Sequence, residues 1–173
     1  MKIAIISDIH DNVWNLKSAL AQLQEAETLL CLGDLCAPFI VNMLAEGFPD
    51  RPIHIIFGNN DGDHFRIHAK TKTYPHVQVH GEIFQADIDG RRLFANHFNY
   101  LALPIAQSGQ FDLVCFGHNH RYQVERFGKT LAINPGPLMG FDGDNPVPAS
   151  FVTYDTRSDE VITYRLPVLP FTP

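Results

Sequence analysis

Short apolar runs alternate with helical patterns through the first sixty residues, and this alternation limits the fold more than any other feature. Lys2 to Ser7 reads as a buried strand. Asn12 to Leu23 reads as an amphipathic helix, with Val13, Leu16, Leu20 and Leu23 on one side. Thr28 to Leu32 is the next strand, Pro38 to Glu46 the next helix and Ile53 to Phe57 a third strand. A β-α-β-α-β order calls for parallel strands joined by right-handed crossovers.

After about residue 76 the pattern changes. Glu82 to Ile88 and Arg91 to Asn96 flank Asp89-Gly90, a strong hairpin signal. Phe111 to Phe116 reads as another buried strand. Tyr122 to Arg126, Thr130 to Ile133, Ser150 to Tyr154 and Val161 to Arg165 follow as further strands, mostly antiparallel. Residues 134–149 are rich in Gly and Pro and read as a long loop; the tail from Pro167 is extended. No repeat or linker interrupts the chain, so one α/β domain with two stacked sheets is expected over residues 1–173.

The chain's 173 residues suffice for a core of two or three layers, and 45% hydrophobic residues exclude a disordered chain. Thirteen basic against 19 acidic residues give a net charge of −6. That balance argues against a broad basic face for a large nucleic-acid partner. It does not exclude a phosphate substrate, because bound metal reverses the local sign. No run approaches the roughly 18 apolar residues of a membrane span. Met1 to Ile6 stops too soon to be a signal sequence. The three cysteines, Cys31, Cys36 and Cys115, are odd in number and lack CxxC spacing, which fits reduced thiols and a cytoplasmic protein.

Five polar clusters each follow directly after an expected strand: Asp8-Ile9-His10, Gly33-Asp34, Gly58-Asn59-Asn60-Asp61, His97 and Gly117-His118-Asn119-His120. Singly most are ordinary: Asp-x-His is commonly a turn, and Gly-Asp or Gly-Asn is loop punctuation. Gly-His-Asn-His says more, since alternate residues of an extended segment put two imidazoles on one face. Sites in open α/β sheets assemble beyond the carboxyl ends of strands. Five strands delivering Asp, His and Asn to one edge therefore point to one metal constellation.

These residues, with Asn134-Pro135-Gly136, make the chain resemble the calcineurin-like metallophosphoesterases, most of all their small bacterial and archaeal phosphodiesterases. The resemblance implies a four-layer α/β/β/α sandwich of two mixed sheets. It also implies a dinuclear centre, with Asp8, His10 and His120 on one metal, Asn59, His97 and His118 on the other, and Asp34 bridging. Imidazole, carboxylate and amide donors without thiolate suit Mn, Fe, Zn or Ni. A water between two such ions becomes a hydroxide near neutral pH and attacks phosphorus in line. The expected partner is a small phosphate ester, with a homo-oligomer compatible. The alternatives are a phosphomonoesterase or nucleotide phosphatase with the same site, and a non-catalytic scaffold, since the family includes a retromer subunit that works through protein contacts.

Several positions depart from the family pattern. Asn60 stands where the family often has a histidine, and an amide donates a hydrogen bond but is no general acid near neutrality. Asp61 matches the acidic residue that follows and is expected to orient Asn60. Phe98 and Asn99 follow His97 in place of the usual His-Gly-His, Asp11 replaces a glycine, and Pro137 replaces a Ser or Thr. His64 and His68 are spaced i, i+4 but lack the glutamate of H-E-x-x-H, and read as a helix face, with His64 near the site rim as the alternative. His54, His76 and His80 read as structural. Gly128-Lys129-Thr130 reads as a hairpin turn rather than the end of a P-loop, and Arg91, Arg92 and Arg121 as solvated.

Overall fold

The structure, a computed structural model, describes residues 1–168; the end of the extended tail expected from the sequence, residues 169–173, lies outside the described residues. The first half is β1 (Lys2–Ile6), α1 (Val13–Gln22), β2 (Thr28–Cys31), α2 (Phe39–Gly47), β3 (Ile53–Ile55), α3 (His64–Thr71) and β4 (Val77–Val79). β1 to β4 pair in parallel, as the β-α-β order demands. Then come β5 (Ile83–Ile88), β6 (Arg91–Asn96), α4 (Asn99–Ser108), β7 (Leu113–Cys115), β8 (Gln123–Phe127) and β9 (Thr130–Asn134). A two-residue hairpin, β10 (Phe141–Asp142) with β11 (Asn145–Pro146), precedes β12 (Ser150–Asp155) and β13 (Val161–Arg165).

β12 returns antiparallel to the free edge of β1, completing a six-stranded sheet of order β13-β12-β1-β2-β3-β4. The second sheet has the order β5-β6-β7-β9-β8, with β6, β7 and β9 mutually parallel. Side-chain alternation along the strands sorts apolar residues into three cores. Ala4 and Ile6 of β1 face outward under α1, α2 and α3, packing on Leu16, Leu44 and Ile67. Ile3 and Ile5 face inward and meet Leu93, Leu113 and Ile133 of the second sheet. Phe94, Val114 and Ala132 point outward from that sheet against Ala102 and Ala106 of α4. The layers are therefore α/β/β/α, the architecture expected from the resemblance.

Local sequence explains the expected elements. Asn12 caps α1 by accepting the Asn15 amide at 3.0 Å, and Leu16 and Leu20 form its buried stripe. Asp89 and Gly90 have φ of 52° and 78°, the left-handed pair that a type I′ hairpin between β5 and β6 requires. Three elements go beyond the sequence expectation. β4 is a three-residue edge strand, too short for alternation to register. α4 carries Pro104 in its interior and buries only Ala102 and Ala106, so its apolar stripe is faint. The β10–β11 hairpin lies inside the segment read as loop. Among the described residues no helix is long and apolar enough to cross a membrane.

Candidate metal centre

β1, β2 and β3 of one sheet and β6 and β7 of the other deliver the sequence-singled residues to a shared edge. The chain turns sharply there. Asp8, His10, Asp34, His118 and His120 all have positive φ, between 44° and 71°. Left-handed backbone costs a non-glycine residue about 1 kcal/mol or more, and such positions cluster where side chains must be aimed. Hydrogen bonds between loops hold the turns: Asp8 N to Gly33 O at 3.2 Å, His10 N to Asp34 O at 2.9 Å and Gly117 N to His97 O at 2.9 Å. Gly33 has φ of 95°, and a Cβ there would lie 2.6 Å from Gly58 N and 2.9 Å from His97 Nδ1. Both φ and space restrict that position to glycine.

Two groups of donors converge. One donor atom each from Asp8, His10 and His120 lie within 4.8 Å of one another, as do those of Asp8, Asp34 and His97. His10 Nε2 is 3.3 Å and His97 Nε2 3.4 Å from Asp34 Oδ2, and His120 Nε2 is 3.5 Å from Asp8 Oδ1. His97 Nδ1 donates to Leu32 O at 2.7 Å, which leaves Nε2 with its lone pair toward the two carboxylates. His97 Nε2 and His10 Nε2 are buried and make no aligned hydrogen bond, an expensive arrangement unless a cation receives them. His118 Nδ1 and Asn59 Oδ1 lie 2.8 Å apart. Adjacent donors about 2.1 Å from one ion lie roughly 3 Å apart, so this pair too is spaced like neighbouring ligands. The residues present fit a metal site.

The electrostatics point the same way. Asp8 and Asp34 are almost wholly buried. Burial opposes ionisation of Asp34, but the His10 and His97 imidazoles and the Asn60 amide outweigh it and hold the carboxyl well below the usual range. Burial lowers the proton affinity of His97, yet Asp34 and Asp8 raise it more. Asp8 likewise raises His120, whereas burial lowers His118. The protein thus presents a sunken pair of negative charges ringed by imidazoles, an arrangement that attracts dications within a net-acidic chain.

Asn60 is tied to Asp34: its backbone N and side-chain Nδ2 each donate to that carboxylate at 2.8 Å. Asp61 has a different role from the orienting one expected. Its Oδ2 accepts Asp34 N and Gly58 N, and its Oδ1 accepts Cys36 N, all at 2.8–2.9 Å, so it staples the β2 and β3 loops together. Asn60 is oriented by Asp34 instead. Sequence reasoning missed two supports. Leu32 acts through its carbonyl, which leaves no residue signature. Asn134 donates to Gly117 O at 3.1 Å and Asn119 Oδ1 at 2.8 Å, fixing the loop that bears His118 and His120; the Asn-Pro-Gly turn was its signal.

The remaining histidines lie elsewhere. His64 stacks on Phe57 at 3.9 Å and His68 meets the same ring edge-on, so both clasp β3's end rather than reach the donors. His54 Nδ1 is 3.0 Å from His80 Nε2, and Phe84 stacks on His54. His76 Nε2 lies 3.3 Å from Ala45 O. Gly128, with φ of 58°, turns β8 into β9 as expected. Beyond His120 opens a cavity of about 380 Å³ whose lining includes Arg121, Tyr122, Asp142 and Arg165.

Comparison with known proteins agrees with this geometry. The family profile of the calcineurin-like phosphoesterase superfamily domain matches residues 1–159. Phosphodiesterase MJ0936 of Methanocaldococcus jannaschii is 30% identical over 147 residues, covering 82% of this chain and 86% of that protein. Among solved structures, an archaeal phosphodiesterase superposes with a TM-score of 0.85 at 27% identity, covering 96% of this chain and all of that one. Vacuolar protein sorting 29 of Cryptosporidium parvum shares the fold, with a TM-score of 0.66 at 21% identity over 95% of this chain and 96% of its own. By sequence and by architecture, the chain belongs to the calcineurin-like phosphoesterase superfamily.

Proposed function

We propose that this protein hydrolyses small phosphodiesters with two divalent metal ions, manganese foremost, held by Asp8, His10 and His120 on one side, Asn59, His97 and His118 on the other, and Asp34 between them. The observation that carries this reading is the convergence of buried carboxylates with two imidazole nitrogens, His10 Nε2 and His97 Nε2, that lack aligned hydrogen-bond partners. Similarity to proteins named phosphodiesterases favours the diester over the monoester. The ions would supply Lewis acidity, activating water and offsetting charge on the phosphoryl oxygens.

The chain's own residues do the positioning. Leu32 O fixes the His97 tautomer, Asp61 locks two ligand loops, and Asn134 locks a third. Asn60 spends one amide hydrogen on Asp34 and keeps the other for a substrate oxygen. It has no proton to give near neutrality, so ester arms that depart without protonation are favoured. A scaffold of the same fold would not require all seven donors at one edge.

Metal analysis joined to hydrolysis of aryl phosphate mono- and diesters tests the reading. Diester turnover that rises with Mn²⁺ is expected; protein that stays metal-free and inactive after Mn²⁺ addition refutes it. Preference for monoesters would move the reading to a phosphomonoesterase with the same ligands. His120→Ala is expected to lower metal content and remove most activity, and unchanged rates would overturn the ligand assignment.

A further inference from the structure

The segment after His97 departs from the family's His-Gly-His and puts aromatic rings beside the donors. Phe98 is half-buried, with its ring edge-on to His97 at 5.2 Å and to His118 at 5.0 Å. Tyr100, in the first turn of α4, lies 5.4 Å from Phe98 and 6.1 Å from His118, yet remains 60% exposed. The two rings therefore run outward from the candidate metal centre as a continuous surface. We propose that Phe98 and Tyr100 form an aromatic shelf that seats a planar aromatic ring on one arm of the phosphodiester.

The inference rests on the phosphodiesterase reading for its substrate, and on the ring geometry for its location. Aromatic pairs associate in tilted or edge-to-face arrangements at centroid separations of about 4.5–7 Å. Phe98, His118 and Tyr100 already occupy such spacings, and the exposed Tyr100 face is free to take one more ring. Because Phe98 touches both imidazoles directly, a ring on the shelf would hang from a phosphoryl group seated at the donors. Asn60 adds an independent reason: without a general acid the site suits arms that leave as stabilised anions, and aryl oxygens do so. The ring could be a phenyl-type group or a nucleobase, since both offer a π face.

The test is calorimetric titration of the Mn²⁺-loaded protein with diphenyl phosphate, the 5′-methylphosphate of thymidine and dimethyl phosphate. Wild type is expected to bind one or both ring-bearing esters more tightly than dimethyl phosphate. Tyr100→Ala is expected to shrink that ratio roughly fivefold to tenfold, Tyr100→Phe to preserve it, and Tyr100→Leu to fall between. A loss confined to the phenyl or to the thymidine ester supports the shelf and identifies the ring it fits. A ratio that Tyr100→Ala leaves unchanged overturns the proposal. Hydrolysis of bis(p-nitrophenyl) phosphate by wild type is measured alongside. Ring-selective binding without hydrolysis would sink the phosphodiesterase reading and keep the shelf; hydrolysis without ring selectivity would do the reverse.

Discussion

Replacing Gly58 by alanine adds one methyl group at a crowded point of the centre, against Asp34. Built on the existing backbone, that Cβ would collide with Asp34 Oδ1, and would sit 2.8 Å from Asp34 N and 2.9 Å from Asp34 Cγ. Carbon contacts are comfortable only near 3.5–4.0 Å. Two of the three neighbours are backbone or held by it, because Asp34 N is bonded to Asp61 and Asp34 Oδ1 to Asn60 N. Overpacking of this kind costs about 1–3 kcal/mol, and weakening the charge-assisted bonds to Asp34 adds about 1 kcal/mol or more. A loss of about 2–4 kcal/mol follows, or roughly 5–15 °C in Tm for a chain of this size. Because the displaced group is the carboxylate proposed to lie between the two ions, bound Mn²⁺ should fall as well. Gly62, four residues on, is the control: a Cβ there meets no atom within 4 Å, so Gly62→Ala should stay within about 0.5 kcal/mol of wild type. Thermal melts and metal content per chain, measured on both variants, check the argument. If Gly58→Ala matches Gly62→Ala in both, the steric reasoning about Asp34 is wrong.

Three further outcomes are expected. Asp61→Asn places an amide nitrogen against a backbone N–H and should cost about 2–4 kcal/mol by urea denaturation; a neutral result would remove Asp61 from the stapling role. Burial and then the neighbouring His80 pull His54 down to about 4 from 6.5. The unfolded chain therefore takes up its proton first: stability from this group is complete above pH 6.5 and is lost as pH falls toward 4, on the order of 2–3 kcal/mol. His54→Gln should flatten the urea midpoint between pH 4.5 and 7, and a wild-type slope in the variant would refute the assignment. Asn60→His should raise turnover on diesters with alkyl leaving groups far more than on nitrophenyl esters, and equal effects on both would count against the missing-acid account.

The parallel half of the fold was legible because β1, β2 and β3 are continuous apolar runs separated by helices with clear stripes, such as Leu16 and Leu20. The convergence of the proposed donors was legible for a related reason: Asp8, Asp34, Asn59, His97 and His118 all follow strand ends, where topology leaves them one place to meet. α4 was not, because Pro104 and two alanines carry almost none of the periodic signal, and packing on Phe94 and Val114 decides the helix instead. Asp61 was read as a partner of Asn60 because adjacency in sequence is visible, whereas its three backbone donors come from residues up to 27 positions away. The Phe98–Tyr100 surface escaped notice because ring spacing across a turn exists only in three dimensions.

The left-handed turns at Asp8, His10, Asp34, His118 and His120 also bear on how the centre acquires its ions. Their conformations are held by bonds within the polypeptide, such as His10 N to Asp34 O and Gly117 N to His97 O, and by three hydrophobic layers behind them. Assembly of the donor set is thus completed by folding itself, in contrast to small domains whose metal and fold arrive together. A chelated sample should therefore keep its tertiary structure and recover its ions by simple addition, with no refolding step between.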